Sequence, residues 1–242
     1  MTIRDEWQAG VQSEIEFWRA VLVGEQFPDF KQEIVQRLDP ETPVSEHIIP
    51  FLPSDIPTSE VKILDVAAGP VSCIGWKIHG QRPQITPIDA LATQYRVLLD
   101  EFHLVPPVYT QPCDGENIDK LFAPDSFDLV HIRNALDHCY DAVTVVRNML
   151  NVLKPGGVLI ICGCTDEAVF ENYVGLHQWN IRADDGQLII WRPGERHAVN
   201  QLFADQLGAV NATQDDAHRW TSVTLVKKAG LAFSAHRRPT TQ

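Results

Sequence analysis

Basic residues are scarce in this sequence. It has 20 lysines and arginines against 32 aspartates and glutamates among 242 residues, and its net charge is -12 with histidine neutral. The longest basic runs are two residues long, Lys227-Lys228 and Arg237-Arg238. Because proteins that hold nucleic-acid phosphates need a concentrated basic surface, the sequence argues against DNA or RNA as a partner.

Long apolar runs are also missing. No stretch reaches the roughly 18 apolar residues of a membrane-spanning helix, so we expect no membrane partner. The first ten residues, MTIRDEWQAG, are too charged for a signal peptide. We therefore expect a soluble, cytoplasmic protein. Its hydrophobic content of 44% is enough for one large core, and the sequence specifies no oligomeric state.

Cysteine is sparse and unpatterned. The five cysteines have no compact spacing, and Cys162 and Cys164 share one predicted strand. Reduced structural thiols are therefore favoured over a metal site. The other candidate metal ligands lack a short spacing such as H-x-x-x-H, and they are Asp137, His138, Glu195, His197 and His218. We predict no metal, with a cation-dependent site as the alternative.

Acidic residues close three successive extended runs. VKILDVAAGP carries Asp65, QITPID ends at Asp89, and PPVYTQPCDGE reaches Asp114 and Glu116. The steps from 65 to 89 and from 89 to 114 are 24 and 25 residues, which suits one strand and one helix per step. In an open parallel sheet, ligands bind beyond the carboxyl ends of the strands, so these acids predict a ligand with several polar groups.

Strand and helix patterns alternate through a predicted domain of residues 59–242. Such alternation predicts a parallel sheet with helices on both faces. The predicted strands are 61–66, 84–89, 107–111, 127–132 and 157–163, and the predicted helices are 72–79, 91–103, 116–122 and 139–153. A helix at 195–207 and an antiparallel pair of strands, 209–214 and 220–227, complete this domain.

Two additions flank the predicted sheet. Residues 1–58 form a helical cap and connector, with helices at 4–23 and 28–38 followed by the proline-rich IIPFLPSDIPT. Residues 176–192 form an inserted hairpin, because the Ala-Asp-Asp-Gly between two extended runs is a strong turn signal.

Three segments together resemble a known family, the class I S-adenosylmethionine-dependent methyltransferases. ILDVAAGP stands where the family has its first glycine-rich motif, FDLVHIRNALDH looks like its fourth-strand motif, and VVRNMLNVLKPGGVLII looks like the helix and strand that follow. The resemblance covers about residues 60–165. It implies an α/β, Rossmann-like, doubly wound sheet of seven strands, mostly parallel with an antiparallel last strand.

The first turn departs from the family pattern at two positions. Ala67 and Val71 stand where the family usually has glycine, and Gly69 is retained. Alanine is tolerated at position 67 if its backbone keeps a negative φ, whereas Val71 would clash if positive φ were required, because only glycine adopts positive φ without steric cost. A dinucleotide-binding turn is the nearest rival, but it needs G-x-G-x-x-G, and Asp65 before the turn would repel a diphosphate.

The resemblance implies S-adenosylmethionine as cofactor and S-adenosylhomocysteine as product. Asp65 would face the methionyl amino group and Asp89 the ribose hydroxyls, while Asp114 would accept from the adenine amine or, alternatively, cap a helix. The implied cofactor-binding residues are Asp65, Ala67, Ala68, Gly69, Asp89, Ala90, Asp114, Gly115, Glu116, Arg133 and Asn134.

Candidate catalytic and substrate-binding residues follow from the same placement. His138 lies just beyond the fourth strand and has a pKa suited to accepting a proton, with Asp137 to orient it. Capping or packing is the alternative for His138. The candidate substrate-binding residues lie on the cap and the hairpin, and they are Trp18, His177, Trp179 and Trp191. For Trp7 we favour a place in the core.

We therefore predict a methyltransferase that acts on oxygen, or less readily nitrogen, of a small metabolite or sugar. The alternative is a non-catalytic protein that binds S-adenosylmethionine, S-adenosylhomocysteine or a protein partner through a degenerate site. A third interpretation keeps the fold and changes the reaction to aminopropyl transfer.

Overall fold

The computed structural model describes residues 3–229, without the side chains of Ile3 and Glu6. The helices are α1 (Ile3–Val23), α2 (Pro28–Leu38), α3 (Ala92–Glu101), α4 (Ile118–Leu121), α5 (Ala142–Val152), α6 (Glu167–Phe170) and α7 (Val199–Leu202). The strands are β1 (Lys62–Val66), β2 (Gln84–Asp89), β3 (Gln111–Pro112), β4 (Phe127–Arg133), β5 (Leu153–Cys164), β6 (Asn180–Asp184), β7 (Gln187–Arg192), β8 (Glu195–Ala198), β9 (Leu207–Asp215) and β10 (Trp220–Lys227).

Seven strands form one sheet in the order β3-β2-β1-β4-β5-β10-β9. The first five are parallel, and β10 runs antiparallel to both β5 and β9. The predicted fold class is confirmed, and so is the antiparallel pair at the carboxyl-terminal edge. Because β1 is central, its last residues are flanked by the ends of β2 and β4.

The two faces of the sheet bury separate hydrophobic clusters. Along β1, Leu64 and Val66 pack against α5 and the second sheet, whereas Ile63 packs against the connector between α2 and β1. The same alternation places Asp65 on the connector face, where it is in register with His131 of β4. An aspartate–histidine pair is therefore buried beneath the first turn.

Helices α1 and α2 form a third cluster with α3. Trp18 and Val21 of α1 pack with Ile34 of α2 and Leu98 of α3. The backbone of α1 also approaches the loop after α6, because a Cβ at Gly10 would lie 2.5 Å from the carbonyl carbon and oxygen of Gly175. The division into a cap (1–58) and a sheet domain (59–242) stays a prediction, and residues 230–242 lie outside the described part.

The predicted hairpin at 176–192 is present as β6 and β7, and it gains a third strand. Asp185 and Gly186 connect the strands with φ of 48° and 70°, the left-handed pair expected of a two-residue type I′ turn. β8 pairs with β7, so the predicted helix at 195–207 is wrong apart from α7. The residues of the turn were enough to predict the hairpin of β6 and β7. The addition of β8 depends on its pairing with β7, which the local sequence does not specify.

The helix predicted at 72–79 is also wrong. Residues 67–83 contain no helix, and they form isolated bridges instead, such as Pro43 with Lys77. Gly75 has φ of 89°, and a Cβ there would lie 2.0 Å from the carbonyl oxygen of Pro43. The connector therefore occupies the place where a crossover helix was expected.

The strand predicted at 107–111 is reduced to the two residues of β3. Prolines flank and enter this run, and proline cannot donate to a strand ladder, so only a short edge strand forms. Within residues 3–229, no helix combines the length and apolar character needed to cross a membrane.

Candidate active site

A cavity of about 650 Å³ opens at the carboxyl ends of β1, β2 and β4. Helix α1 and the loop at 174–177 cover it. Most of the predicted cofactor-binding residues line this cavity, namely Asp65, Ala67, Ala68, Gly69, Asp89, Ala90, Gly115, Glu116, Arg133 and Asn134.

Asp65 is held by two side chains beneath the turn. Its Oδ1 lies 2.8 Å from Nδ1 of His131, and its Oδ2 accepts a hydrogen bond from Ser72 Oγ at 2.6 Å. Burial opposes protonation of His131, but its bonds to Asp65 and Cys162 outweigh that effect and raise the pKa of His131 well above its ordinary value. The charge of Asp65 is therefore already balanced by a cation.

Asp89 supports the turn from the neighbouring strand. Its Oδ2 accepts from the backbone amide of Gly69 at 3.0 Å, and its Oδ1 accepts from that of Leu91 at 2.8 Å. Burial raises the pKa of Asp89 to about 6, although these two hydrogen bonds act in the opposite direction. A carboxylate with lone pairs to spare is thus held rigidly on the cavity wall.

The condition under which alanine is tolerated at position 67, a negative φ, is not met. Ala67 has φ of 51° and Gly69 has φ of 66°, so both residues lie in the left-handed region. Val71 is not among the positive-φ residues of the described chain. The turn therefore keeps the left-handed backbone conformation that glycine favours, and Ala67 is sterically strained in it.

We expect Ala67→Gly to raise the free energy of unfolding by about 0.5–1 kcal/mol. Left-handed backbone costs an L-residue about 1–2 kcal/mol, and the extra unfolded-state entropy of glycine offsets about 0.5–1 kcal/mol of the gain. Urea denaturation measures the change. Ala68→Gly is the matched control, and we expect it to lower stability; a loss of similar size at position 67 would contradict the strain.

The acids after β3 divide between the cavity and its surroundings. Glu116 lines the cavity and accepts from the backbone amide of Asp141 at 2.9 Å, while burial raises its pKa to about 7. Asp114 lies outside the lining, and its carboxylate accepts from Asn117 Nδ2 at 3.1 Å. Of the two, Glu116 is the acid in a position to meet a ligand.

Arg133 and Asn134 sit where β4 ends. The guanidinium of Arg133 lies 5.5 Å from the ring centroid of Trp220. Asn134 has φ of 49°, and its Oδ1 accepts from the backbone amide of Cys164 at 2.9 Å. Asn134 thus ties the ends of β4 and β5 together as well as lining the cavity.

The predicted pair of Asp137 and His138 contains a third member, His177. Oδ2 of Asp137 is 2.8 Å from Nδ1 of His177 but 3.5 Å from Nε2 of His138. The two histidines are 3.2 Å apart, from Nε2 of His138 to Nδ1 of His177. The backbone carbonyl of Asp137 also accepts from Gln178 and Trp179, so this segment is anchored to residue 137.

In the group of Asp137, His138 and His177, the aspartate and the histidines stabilise each other's charged forms. Burial works against ionisation of Asp137, but the nearby His138 and the hydrogen bond from His177 lower the pKa of Asp137 overall. Burial also disfavours the charged form of His177, and the hydrogen bond and charge of Asp137 raise the pKa of His177 above its ordinary value. Asp137 therefore holds Nδ1–H of His177, which leaves Nε2 as the ring nitrogen that can accept a proton.

Of the predicted substrate-binding residues, two line the cavity and two do not. Trp18 and His177 line the cavity. Trp179 is buried, with Arg192 stacked 4.1 Å from its ring centroid, and Trp191 donates to Asp166 at 2.8 Å; neither lines the cavity. Trp7, for which a core position was favoured, lines the cavity and donates to the backbone carbonyl of His138 at 2.7 Å.

Sequence reasoning missed several cavity residues on the cap and on α6. Glu14 of α1 accepts from Trp18 Nε1 at 2.8 Å, and its second oxygen is 4.0 Å from Nδ1 of His138. The others include Phe30, Glu33 and Arg37 of α2, Glu167 at the start of α6 and Glu171 just after it. The amphipathic pattern predicted the helices but carried no signal that their polar side chains reach the cavity.

Comparison with known proteins agrees with this geometry. Residues 64–161 match the family model described as a methyltransferase domain. A stretch of 127 residues is 28% identical to the hybrid PKS-NRPS synthetase iliA of Neonectria sp. (strain DH2), covering 49% of this chain and 3% of that protein.

Two solved structures share the fold at low identity. A CurJ carbon methyltransferase has a TM-score of 0.50 at 14% identity, over 72% of this chain and 50% of that one. The trans-methyltransferase CalH, in complex with SAH, has a TM-score of 0.50 at 16% identity, over 71% of this chain and 52% of that one. This chain thus spans about half of each solved chain.

The sheet order, the turn after β1 and the matched domain define a Rossmann-like methyltransferase fold. Residues 64–161 thus match the methyltransferase-domain family, and this match together with the shared fold supports S-adenosylmethionine as the cofactor.

Proposed function

We propose that this protein transfers a methyl group from S-adenosylmethionine to an oxygen, or less readily a nitrogen, of a small metabolite or sugar. One observation carries the proposal. A single cavity joins the turn after β1 and the carboxylate of Asp89 with the Asp137–His177 pair. Donor and acceptor then share one enclosed space.

The donors and acceptors of the cavity suit the polar groups of the cofactor. Asp89 would accept from the ribose hydroxyls and Glu116 would meet the adenine amine. Arg37 and Arg133 line the same cavity and supply positive charge for the methionyl carboxylate; the buried Nε of Arg37 has no hydrogen-bond partner within the described residues. When bound, S-adenosylmethionine would supply an electrophilic methyl group, and its demethylated product would make the same polar contacts.

His177 is the residue that takes the proton of the acceptor hydroxyl in this account. Its Nδ1–H is fixed by Asp137, and its ring is half-buried on the cavity wall. Transfer also depends on alignment of the acceptor, for which the walls formed by Trp7 and Trp18 are suited. His138 then helps to hold the pair, since its Nε2 faces both partners.

The size and cover of the cavity support a small acceptor. Ligand sites for small molecules commonly measure about 300–1,000 Å³, and the cavity of about 650 Å³ lies in that range. Helix α1 touches the loop at 174–177 through Gly10 and Gly175, so part of the cavity is covered. The net charge of -12 disfavours nucleic acid.

The pH dependence of the rate tests the role of His177. A base must be neutral to accept a proton, so kcat/KM should rise with pH through a pKa above 6.5, the ordinary value for histidine. Asp137→Asn removes the charge that raises this pKa, and we expect the rising limb to move to lower pH while the plateau falls.

Glu195→Gln, which alters a carboxylate outside the cavity lining, is the control and should leave the limb in place. A limb that stays unchanged in Asp137→Asn would contradict the assignment of His177.

A further inference from the structure

A second cavity, of about 490 Å³, lies between the connector and strands β5, β9 and β10. His47 and Cys162 line it, and the buried His131 lies next to Cys162. A nitrogen of His47, a nitrogen of His131 and Sγ of Cys162 all lie within 4.8 Å of one another. Two imidazoles and a thiol are a donor set that suits a borderline-soft metal ion.

Strand register brings these side chains together. His131 on β4 is paired with Asp65 on one side and Ile160 on the other, and Cys162 follows Ile160 by two residues on the same face of β5. His47 comes from the connector, which covers this face because the β1–β2 crossover has no helix. The ligands therefore come from three separate segments, which is why no short spacing marks them in the sequence.

Both imidazoles have a partner that fixes the ring. Nδ1 of His131 is 2.8 Å from Oδ1 of Asp65, and Nδ1 of His47 is 2.7 Å from Ser45 Oγ. A carboxylate on the far nitrogen of a histidine is the usual support of a metal ligand, because it fixes the tautomer and the orientation of the ring. The Asp65–His131 pair leaves Nε2 of His131, 4.0 Å from Cys162 Sγ, as its ligating atom.

We propose that His47, His131 and Cys162 bind a divalent transition ion of the Zn²⁺ class, with the fourth position open to the second cavity. With Zn–N near 2.0–2.1 Å and Zn–S near 2.3 Å, ligand atoms in a tetrahedral site are about 3.5 Å apart. The 4.0 Å between Cys162 Sγ and His131 Nε2 therefore closes by a small side-chain rotation. The Cys162 thiol and Nε2 of His131 each release a proton to solvent on binding.

A neighbouring group of Asp65, Cys73 and His131 is a poorer choice. Its atoms also lie within 4.8 Å of one another, but Asp65 already holds His131 and Ser72. An ion there would have to break the Asp65–His131 bond, whereas an ion at His47 and Cys162 keeps that bond.

Cobalt titration tests the proposal. The protein is stripped with chelator and titrated with Co²⁺, which reports thiolate ligation by a near-ultraviolet charge-transfer band and tetrahedral geometry by its visible bands. We expect one ion per chain and a thiolate band. The band should vanish in Cys162→Ser, and the Kd should rise at least about tenfold in His47→Ala.

Cys164→Ser is the matched control, because Cys164 is two residues further along β5 and outside the cluster. It should keep the band and the affinity. Circular dichroism of the metal-free variants establishes that each is folded, and Zn²⁺ should raise the Tm of the unmodified protein more than that of His47→Ala at the same concentration. Absence of the thiolate band, or its survival in Cys162→Ser, would overturn the proposal.

Discussion

His177→Gln should lower kcat for methyl transfer by about 10²- to 10⁴-fold, the range that a positioned general base contributes. Glutamine keeps the half-buried volume and a hydrogen bond to Asp137, but it cannot accept the acceptor's proton. The Kd for S-adenosylhomocysteine should stay within about twofold, because the Asp137–His177 pair is proposed to meet the acceptor and not the cofactor. Single-turnover kinetics and calorimetry measure the two quantities.

His138→Gln is the comparison variant for this experiment. His138 lines the same cavity, but it lies 3.5 Å from Asp137 where His177 lies at 2.8 Å. We expect the smaller loss at His138. If His138→Gln were the more damaging change, the base would be His138, as the sequence first indicated.

Asp89→Asn should raise the Kd for S-adenosylhomocysteine roughly 100-fold, or about 2.7 kcal/mol. Hydrogen bonds to a charged group contribute about 1.5–3 kcal/mol each, and asparagine offers one acceptor oxygen where the carboxylate offers two. Asparagine also leaves one of the two amides, that of Gly69 or Leu91, without an acceptor. Isothermal titration calorimetry measures the loss.

The pH dependence of S-adenosylhomocysteine binding is a second test of the role of Asp89. Because burial raises the pKa of Asp89 to about 6, the affinity of the unmodified protein should fall as pH drops through that value, where the carboxylate becomes protonated. Asp89→Asn should lose the step near pH 6 and keep only the dependence that Glu116 contributes near pH 7. Asp114→Asn, an acid outside the cavity lining, should bind within about twofold of the unmodified protein, and equal losses at both positions would contradict the assignment.

The parts of the fold that local chemistry specifies could be predicted from the sequence. The strand ends at Asp65 and Asp89 follow from hydrophobic runs closed by polar turns, and the Asp185-Gly186 turn follows from the two residues that tolerate left-handed backbone. The expected helix at 72–79 failed because the connector packs there, with Pro43 against Gly75. The periodicity of residues 72–79 carries no information about whether another segment, here the connector, packs in the place of a helix.

The same division holds for the candidate site. Residues at strand ends were placed by the parallel-sheet rule, and Asp65, Asp89 and Arg133 do line one cavity. The Asp137–His177 pair spans 40 residues and depends on how the segment before β6 folds back onto residue 137. Trp179 was expected in the pocket but belongs to the core, because alternation along the chain does not tell which face is buried.

Transfer of labelled methyl is the most direct test of the central claim. The protein is incubated with methyl-labelled S-adenosylmethionine and host extract, and the products are separated by size filtration. We predict label in the small filtrate, absent with His177→Gln under the same conditions. Tight binding of S-adenosylhomocysteine without any transfer of label would contradict the claim and favour a non-catalytic binding protein.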